Sequence, residues 1–390
     1  MPCIDLVWFN AGGGHRAAAQ ALEQVMVAQG RPWQIRKVNL TEVLDPTNLF
    51  RRVTGMDPED VYNRRLASGF TLGLAQELKL LQSLIRLGHT VLVQRLARHW
   101  QATRPDMVVS LIPNFNRALH DSLAQALPGV PFVTVLTDMA DHPPNFWIEP
   151  DLQQHVICGT DHAAQQALRS GCEASRVHRS RGMILRPEFH MRPAFDRVAE
   201  RCRVGLDADT PTGLVLFGGT GSRVMKRIAT ELPGTPLILM CGRNEALAAR
   251  LRALPRSAGD APRVVVGYTP DVAHWMRMAD FFIGKPGPGS LSEAVQLGLP
   301  VIVTRNAWTM PQERWNTDWV RQQGAGLVLR SFHEVGGAVG EIIAHMAAYR
   351  ERVAGIANHA VFDVPQILER ILALSGSALR QPQDLVESSD

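Results

Sequence analysis

Gly284-Lys285-Pro286-Gly287-Pro288-Gly289-Ser290-Leu291-Ser292-Glu293-Ala294 is the stretch on which the reading of this chain turns. The apolar run Phe281-Phe282-Ile283 precedes it, and Ala294-Val295-Gln296-Leu297, which has helical character, follows. A strand therefore runs into a tight Gly/Pro turn that opens a helix. Such a turn leaves backbone N–H groups unpaired at the positive end of a helix dipole. That is an anion site, and phosphate is its usual occupant. Glu293 is expected in the first helical turn, within reach of ribose hydroxyls beside the phosphate. Phosphate plus ribose is a nucleotide. The competing reading is a generic Gly-rich strand-to-helix turn. A P-loop is excluded, because Lys285 is followed by Pro286 rather than Ser or Thr, and no Gly lies five residues upstream of Gly284.

Working outward, two glycine turns open two similar halves. The first half begins with strand Ile4–Phe9, the turn Asn10-Ala11-Gly12-Gly13-Gly14-His15 and helix Ala17–Ala28. The second begins with Gly213-Leu214-Val215-Leu216-Phe217, the turn Gly218-Gly219-Thr220-Gly221-Ser222 and a helix toward Leu232. Each is the opening of a doubly wound sheet. Further strands are expected at Met107–Leu111, Phe132–Leu136 and His155–Cys158, then at Leu237–Cys241, Arg263–Val266, Phe281–Ile283 and Val301–Thr304. Helical patterns such as Asn244–Leu254 and Arg314–Gln323 separate them. Gly182–Arg192, the short helix Asp196–Arg203 and the loop Asp207–Thr212 read as a linker. The pattern predicts an α/β protein of two Rossmann-like domains facing across a cleft. Residues 1–190 would form the acceptor and membrane side, 205–360 the nucleotide domain, and 361–390 a C-terminal helix and tail.

The whole chain sets bounds. Its 390 residues, 45% hydrophobic and 20% charged, suit two or three globular cores. The five cysteines (Cys3, Cys158, Cys172, Cys202, Cys241) are scattered and never form a C-x-x-C pair. Neither a disulfide framework nor a zinc site is implied, which fits a reducing cytosol. Met1–Asp5 lacks signal-peptide character, and no apolar run reaches the ~18 residues of a spanning helix. A soluble or peripheral protein is expected, cytoplasmic and on the inner face of the membrane. The net charge is +4. Between Val61 and Arg104 stand seven basic residues (Arg64, Arg65, Lys79, Arg86, Arg95, Arg98, Arg104) against one acid, Glu77, interleaved with leucines. Basic and apolar faces on consecutive helices suit an anionic bilayer. A core-packed helical pair with a solvated Arg face is the alternative. Aromatics for base stacking are few, so nucleic acid is not expected as a partner.

The ordered motifs resemble one family. They are Gly12-Gly13-Gly14-His15-Arg16, Thr137-Asp138, His142-Pro143, Gly182–Phe189 with Arg186-Pro187, and Gly218-Gly219-Thr220-Gly221. Cys241-Gly242-Arg243-Asn244, Gly267-Tyr268, Lys285–Glu293 and Pro311-Gln312-Glu313 with Asn316 continue the series. Together they look like the monogalactosyldiacylglycerol synthase and processive diacylglycerol glucosyltransferase family, from Ile4 to about Leu329. The resemblance implies a GT-B fold and inverting transfer of a hexose from a UDP-sugar to a lipid. The peptidoglycan lipid-intermediate N-acetylglucosaminyltransferase is a more distant relative of the same fold.

On that resemblance, Gly287, Gly289 and Ser290 hold the diphosphate, Glu293 the ribose, and Gly219 and Thr220 approach the phosphates from the opposite wall. Arg243 lines the uracil pocket, while Gln312 and Glu313 read sugar hydroxyls. Gly13, Gly14, His142 and Trp147 fall on the acceptor side. Inversion needs a base. His15, at the end of a glycine turn, is the first candidate, since imidazole titrates near neutral pH. It could equally bind the acceptor or cap the helix. Asp138 is the second candidate, as the base itself or as the group that orients His15. Neither cofactor nor metal is expected, because the helix terminus stabilises the departing UDP. Asp207-Ala208-Asp209, the one D-x-D, lies in the interdomain loop and reads as surface charge. Two departures stand out. The essential acid that plant-type members carry upstream of the glycine turn has no equivalent here, and Pro144-Asn145-Phe146-Trp147 shifts the family's aromatic. A UDP-sugar 2-epimerase-type isomerase and a non-catalytic UDP-sugar-binding protein remain alternatives.

Overall fold

The computed structural model describes residues 1–10, 13–47, 52 and 74–380. Short, mainly apolar runs become the central strands because a parallel sheet covered on both faces buries nearly every position. In the first unit these are β1 (Cys3–Trp8), β3 (Met107–Ser110), β4 (Phe132–Val135) and β5 (His155–Cys158). β2 (Gln34–Asn39) and β6 (Val177–Arg179) close the edges, giving the all-parallel order β2-β1-β3-β4-β5-β6. The chain reverses its direction of winding between β1 and β3, so the loops after these two strands flank the switch point.

The second unit repeats the plan. Its strands are β7 (Gly213–Leu216), β8 (Leu237–Met240), β9 (Arg263–Val266), β10 (Phe281–Gly284), β11 (Val301–Thr304) and β12 (Gly326–Leu329). Their order is β12-β11-β10-β7-β8-β9, again parallel. Here the switch point lies between β7 and β10, the two strands that end in glycine turns. These are two Rossmann-like sheets, one in each unit, as expected for a GT-B fold.

The edge strands β2, β6 and β12 escape a reading by apolar runs. β2 has only two apolar residues, Ile35 and Val38, and its Arg36 reaches the buried Asp5 of β1 at 2.6 Å. β12 starts at Gly326, two residues after Gly324, and none of its residues is fully buried.

The units divide at Arg186/Pro187 and at Asn358/His359, the first unit taking the chain up to Arg186 and again from His359. The segment expected to stand apart after residue 360 instead enters the first core. Val361, Val364, Ile367, Leu368 and Ile371 of helix Ala360–Arg380 pack with Leu22, Val25 and Met26 of helix Gly14–Ala28 and with Ile4 and Leu6. Each such side chain contributes about 1.5–3 kcal/mol on burial. Arg181 fixes the helix start through an ion pair to Asp363.

In the second unit, Asp280 anchors the entry to β10. Its carboxylate accepts from Arg197, Arg201, Arg350 and the N–H of Thr212. Burial pushes the Asp280 carboxyl up, but these bonds overcome it and hold it below the usual carboxylate range. The linker helix Arg197–Arg203 is thereby pinned beneath the strand that runs into the Gly/Pro turn.

Candidate active site

The Gly/Pro turn leaves β10 at Gly284, whose missing side chain lets it lie against the carbonyl of Leu216 on β7. Helix Pro288–Gln296 starts at once, with Gly287 at the N-cap, Pro288 in the first turn and no side-chain cap. Pro fits the first helical position because its missing N–H is one that has no intrahelical partner. The N–H groups of Gly289 and Ser290 then head a nine-residue helix, and a Cβ at Gly289 would meet nothing within 4 Å. Because the helix begins at Pro288, Glu293 falls in its second turn rather than its first, half-buried. That corrects its expected position.

The facing wall is the turn after β7. Gly219 and Thr220 are exposed on the short 3₁₀ turn Gly218–Thr220. Their carbonyls accept from Arg243 N–H (2.9 Å) and Asn244 Nδ2 (3.0 Å), which ties this turn to the one after β8. Gly242 makes the approach possible: at φ +58°, its Cβ would sit 2.1 Å from the Gly219 carbonyl oxygen. Asn244 also caps helix Glu245–Arg252 through Leu247 N–H. Arg243 is exposed, with its guanidinium 3.9 Å above the Tyr268 ring. That stack leaves a flat, polarised surface at the carboxyl end of β9, suited to a planar ring.

Gln312 and Glu313 are not solvated helix-end polarity. They sit on the 3₁₀ turn Pro311–Glu313, and both are buried. Glu313 Oε1 accepts from Lys285 Nζ at 2.6 Å. Asn316, fully buried one turn later, donates to the carbonyl of Pro286 at 2.8 Å. Gln312 Oε1 and Asn316 Oδ1 are buried without a hydrogen-bond partner. Buried acceptors left unpaired are costly, so they mark a place where donors are expected. Lys285, Asn316 and Tyr268 were not singled out as site residues from sequence. Lys285 lies in the quoted turn itself, and Asn316 follows Glu313 by three residues, on the same helical face.

In the first unit, Gly13 takes φ +80° to turn the chain into helix Gly14–Ala28, whose N-terminus also lacks a side-chain cap. No atom lies within 4 Å of a Cβ built at Gly13 or Gly14. His15 stands in this opening, against the switch point. Its Nδ1 lies 2.7 Å from the carbonyl oxygen of Leu111, past the end of β3, and 3.1 Å from Thr137 Oγ1. A carbonyl only accepts, so Nδ1 carries the proton and Nε2 keeps its lone pair. The ring packs between Phe9 and Trp147, with centroids at 4.9 and 5.8 Å. Burial pushes its pKa down to about 4, against the raising effect of the Leu111 bond. The expected titration near neutral pH is therefore corrected: the ring is neutral there.

The group that fixes the His15 tautomer is thus the Leu111 carbonyl and not Asp138. Asp138 Oδ2 accepts from Trp147 Nε1 at 2.9 Å. Trp147 was expected on the acceptor wall, but it is fully buried and instead holds Asp138. The loop around it is tightly determined. Asp141 accepts from the N–H groups of Asn145, Phe146 and Trp147, while Asn116 donates to the Trp147 carbonyl. Burial raises the Asp141 carboxyl to about 6 against those bonds. His142 is half-buried and stacks on His162 at 6.2 Å, and burial lowers its pKa.

Helices Leu74–Leu87 and His89–Thr103 carry the basic, leucine-rich segment, of which residues 61–73, with Arg64 and Arg65, lie outside the described residues. One face is core: Leu96 and Trp100 join Leu119 and Phe132. The other exposes Leu80, Leu84, Leu87 and Val91 at helical spacing, with Leu87 84% accessible. Arg86, Arg95 and Arg98 are exposed beside them, Arg95 bonded to the Leu44 carbonyl. Among the described residues, no helix is long and apolar enough to cross a membrane. The D-x-D loop is occupied with itself: Asp207 accepts from Asp209 N–H and from the N–H and hydroxyl of Thr210.

Comparison with known proteins agrees with this anatomy. The family signature of monogalactosyldiacylglycerol (MGDG) synthase matches residues 15–180, from His15 to the end of the first sheet. A probable monogalactosyldiacylglycerol synthase of Oryza sativa subsp. indica is 27% identical over 406 aligned residues, covering 99% of this chain and 84% of that one. Among solved structures, Acinetobacter baumannii MurG superposes with a TM-score of 0.57 at 13% identity, covering 97% of this chain and all of that one. The UDP-GlcNAc 2-epimerase of Neisseria meningitidis, bound to UDP-GlcNAc, also gives 0.57 at 12% identity, covering 95% and 100%. Those two structural likenesses establish a shared fold.

Proposed function

We propose, for a chain that resembles the monogalactosyldiacylglycerol synthases and folds as a GT-B glycosyltransferase, that it moves a hexose from a UDP-sugar to a lipid acceptor such as diacylglycerol, with inversion. The observation that carries the reading is the uncapped N-terminus of helix Pro288–Gln296, at the switch point of the second sheet, with buried Gln312, Glu313 and Asn316 nearby in the chain's fold. Gly287, Gly289 and Ser290 take the diphosphate, Glu293 the ribose, and the Arg243–Tyr268 stack the uracil. Gln312 and Glu313 accept from hexose hydroxyls.

The chemistry follows from charge and proton flow. His15 Nε2 takes the proton of the acceptor hydroxyl as that oxygen bonds to the anomeric carbon. The bond from that carbon to the β-phosphate oxygen breaks, and its electron pair leaves with UDP. The N–H groups and dipole of the helix stabilise the added charge, which makes a metal ion unnecessary. Asp138, held by Trp147, contributes negative charge on the same unit. The apolar stripe Leu80–Val91 with Arg86 and Arg98 rests on an anionic membrane at the cytoplasmic face, where the lipid acceptor resides.

The epimerase reading shares the fold, as the Neisseria structure illustrates. What favours transfer to a lipid is the MGDG synthase signature across the first unit, where an acceptor is expected. The test is UDP release from several UDP-sugars, with and without diacylglycerol vesicles. Release should require lipid and survive EDTA. Glu293→Ala should weaken UDP binding by about 1–3 kcal/mol, through loss of a charged hydrogen-bond partner. Lipid-independent conversion of the UDP-sugar, or metal-reversible loss with EDTA, would argue against the mechanism.

A further inference from the structure

Lys285 occupies an unusual position for a residue that merely closes an ion pair. Its stem runs between the two glycine turns of the second unit. Lys285 Cε is 3.3 Å from where a Cβ at Gly287 would stand and 3.9 Å from one at Gly218. Its ammonium, partly accessible, meets the carboxylate of Glu313, whose side chain is only 6% accessible. Beside Glu313, Gln312 Oε1 and Asn316 Oδ1 are buried acceptors with no partner. One cation thus lies next to the backbone that heads the anion-binding helix, and it is paired with a carboxylate in a cluster that lacks donors.

We infer that Lys285 is a positioning residue that hands over between Glu313 and the donor diphosphate. The inference rests on the nucleotide reading above and deepens it. When a diphosphate reaches the N–H groups of Gly289 and Ser290, it competes with Glu313 for the ammonium, and two phosphates outcompete one carboxylate. Glu313 then loses its cation and accepts from hexose hydroxyls together with Gln312 and Asn316. Diphosphate binding and sugar recognition are coupled through this one side chain. UDP alone must break the pair without compensation, whereas a UDP-sugar breaks it and supplies hydroxyl donors in return. The sugar therefore adds more to affinity than its own contacts would in a site already open.

Calorimetric titration of UDP and of a UDP-hexose tests this on the full chain and on four variants. Glu313→Gln releases Lys285, so UDP should bind several-fold tighter while the preference for UDP-hexose over UDP collapses. Lys285→Met should weaken UDP about tenfold or more, the loss of a charge-assisted phosphate contact, and Lys285→Arg should recover most of it. If Lys285→Met alone fails to fold because Glu313 is left buried and unpaired, the double variant Lys285→Met/Glu313→Gln removes both charges. In that background the gain from Glu313→Gln must vanish, leaving UDP about tenfold or more weaker than in the wild type. A gain that persists without Lys285 would be simple relief of repulsion and overturns the hand-over. So does a folded Glu313→Gln protein whose UDP affinity is unchanged or reduced. Wild-type protein that binds no UDP removes the nucleotide reading itself, and this inference with it.

Discussion

Acidification should leave His15, the proposed base, in its working form far below the pH at which free imidazole is protonated. His15 is half-buried between Phe9 and Trp147, and its Nδ1 proton is committed to the Leu111 carbonyl. Protonating Nε2 would place a full charge in that setting, which is why the pKa falls from 6.5 to about 4. At about 1.4 kcal/mol per pH unit, the charged ring is disfavoured by about 3 kcal/mol. UDP release measured from pH 4.5 to 8 at constant ionic strength should give a kcat/KM that stays level to about pH 5, since that parameter reports the free enzyme. A descending limb centred near pH 6.5 would show an imidazole titrating as in water and refute the reasoning. The sign for stability runs the same way. The folded pKa lies below the unfolded one, so the stabilisation is present above about 6.5 and is lost as pH falls through 4. Thermal melts at each pH separate lost catalysis from lost fold. His15→Ala should lower kcat by about 10²–10⁴-fold with UDP affinity retained; a loss under tenfold would remove it as the base.

Asp141 should behave in the opposite sense. Burial raises its carboxyl to about 6, so its contribution is present at low pH and is lost as pH rises through 6. Wild type should therefore gain stability relative to Asp141→Asn between pH 7 and 5, and parallel melting curves would contradict that. For the exposed apolar stripe, proposed to meet the membrane, Leu84→Asp/Leu87→Asp should abolish sedimentation with phosphatidylglycerol vesicles. Arg86→Glu/Arg98→Glu should weaken it by about 1 kcal/mol per charge removed near the surface, more at low salt. Arg95 is left intact because it also holds the Leu44 carbonyl. Vesicle binding indifferent to all four changes would mean that this stripe does not face lipid.

Much of the fold was legible because buried parallel strands are short apolar runs followed by glycine turns. β7, β8 and β10 are of this kind, β11 is an apolar run that continues into Arg305, and the turn after β10 opens a helix as expected. The edges were not: β2 carries Arg36 and Lys37, and its partner for Arg36 is a buried aspartate 31 residues earlier. The docking of helix Ala360–Arg380 was equally hidden, since an apolar stripe does not say which core it enters. At the candidate site, the sequence names residues but not their partners. His15 can be named as a candidate, but only the structure shows that Leu111 sets its tautomer. Trp147 could be placed in the right loop, yet its burial reverses its role from lining a surface to holding Asp138. Glu293 was assigned to the first turn because the helix start was read too late; Pro288 at the first position was the signal.

The most direct measurement follows the hexose itself. Protein, diacylglycerol vesicles and a UDP-hexose labelled with carbon-13 in the sugar are incubated, and lipid and aqueous phases are analysed by mass spectrometry and proton NMR. The account predicts labelled hexose on diacylglycerol, one UDP released per hexose transferred, and an anomeric signal of configuration opposite to that of the donor. Label that remains on the nucleotide as an epimeric sugar, appears as free hexose, or reaches the lipid with retained configuration would contradict it.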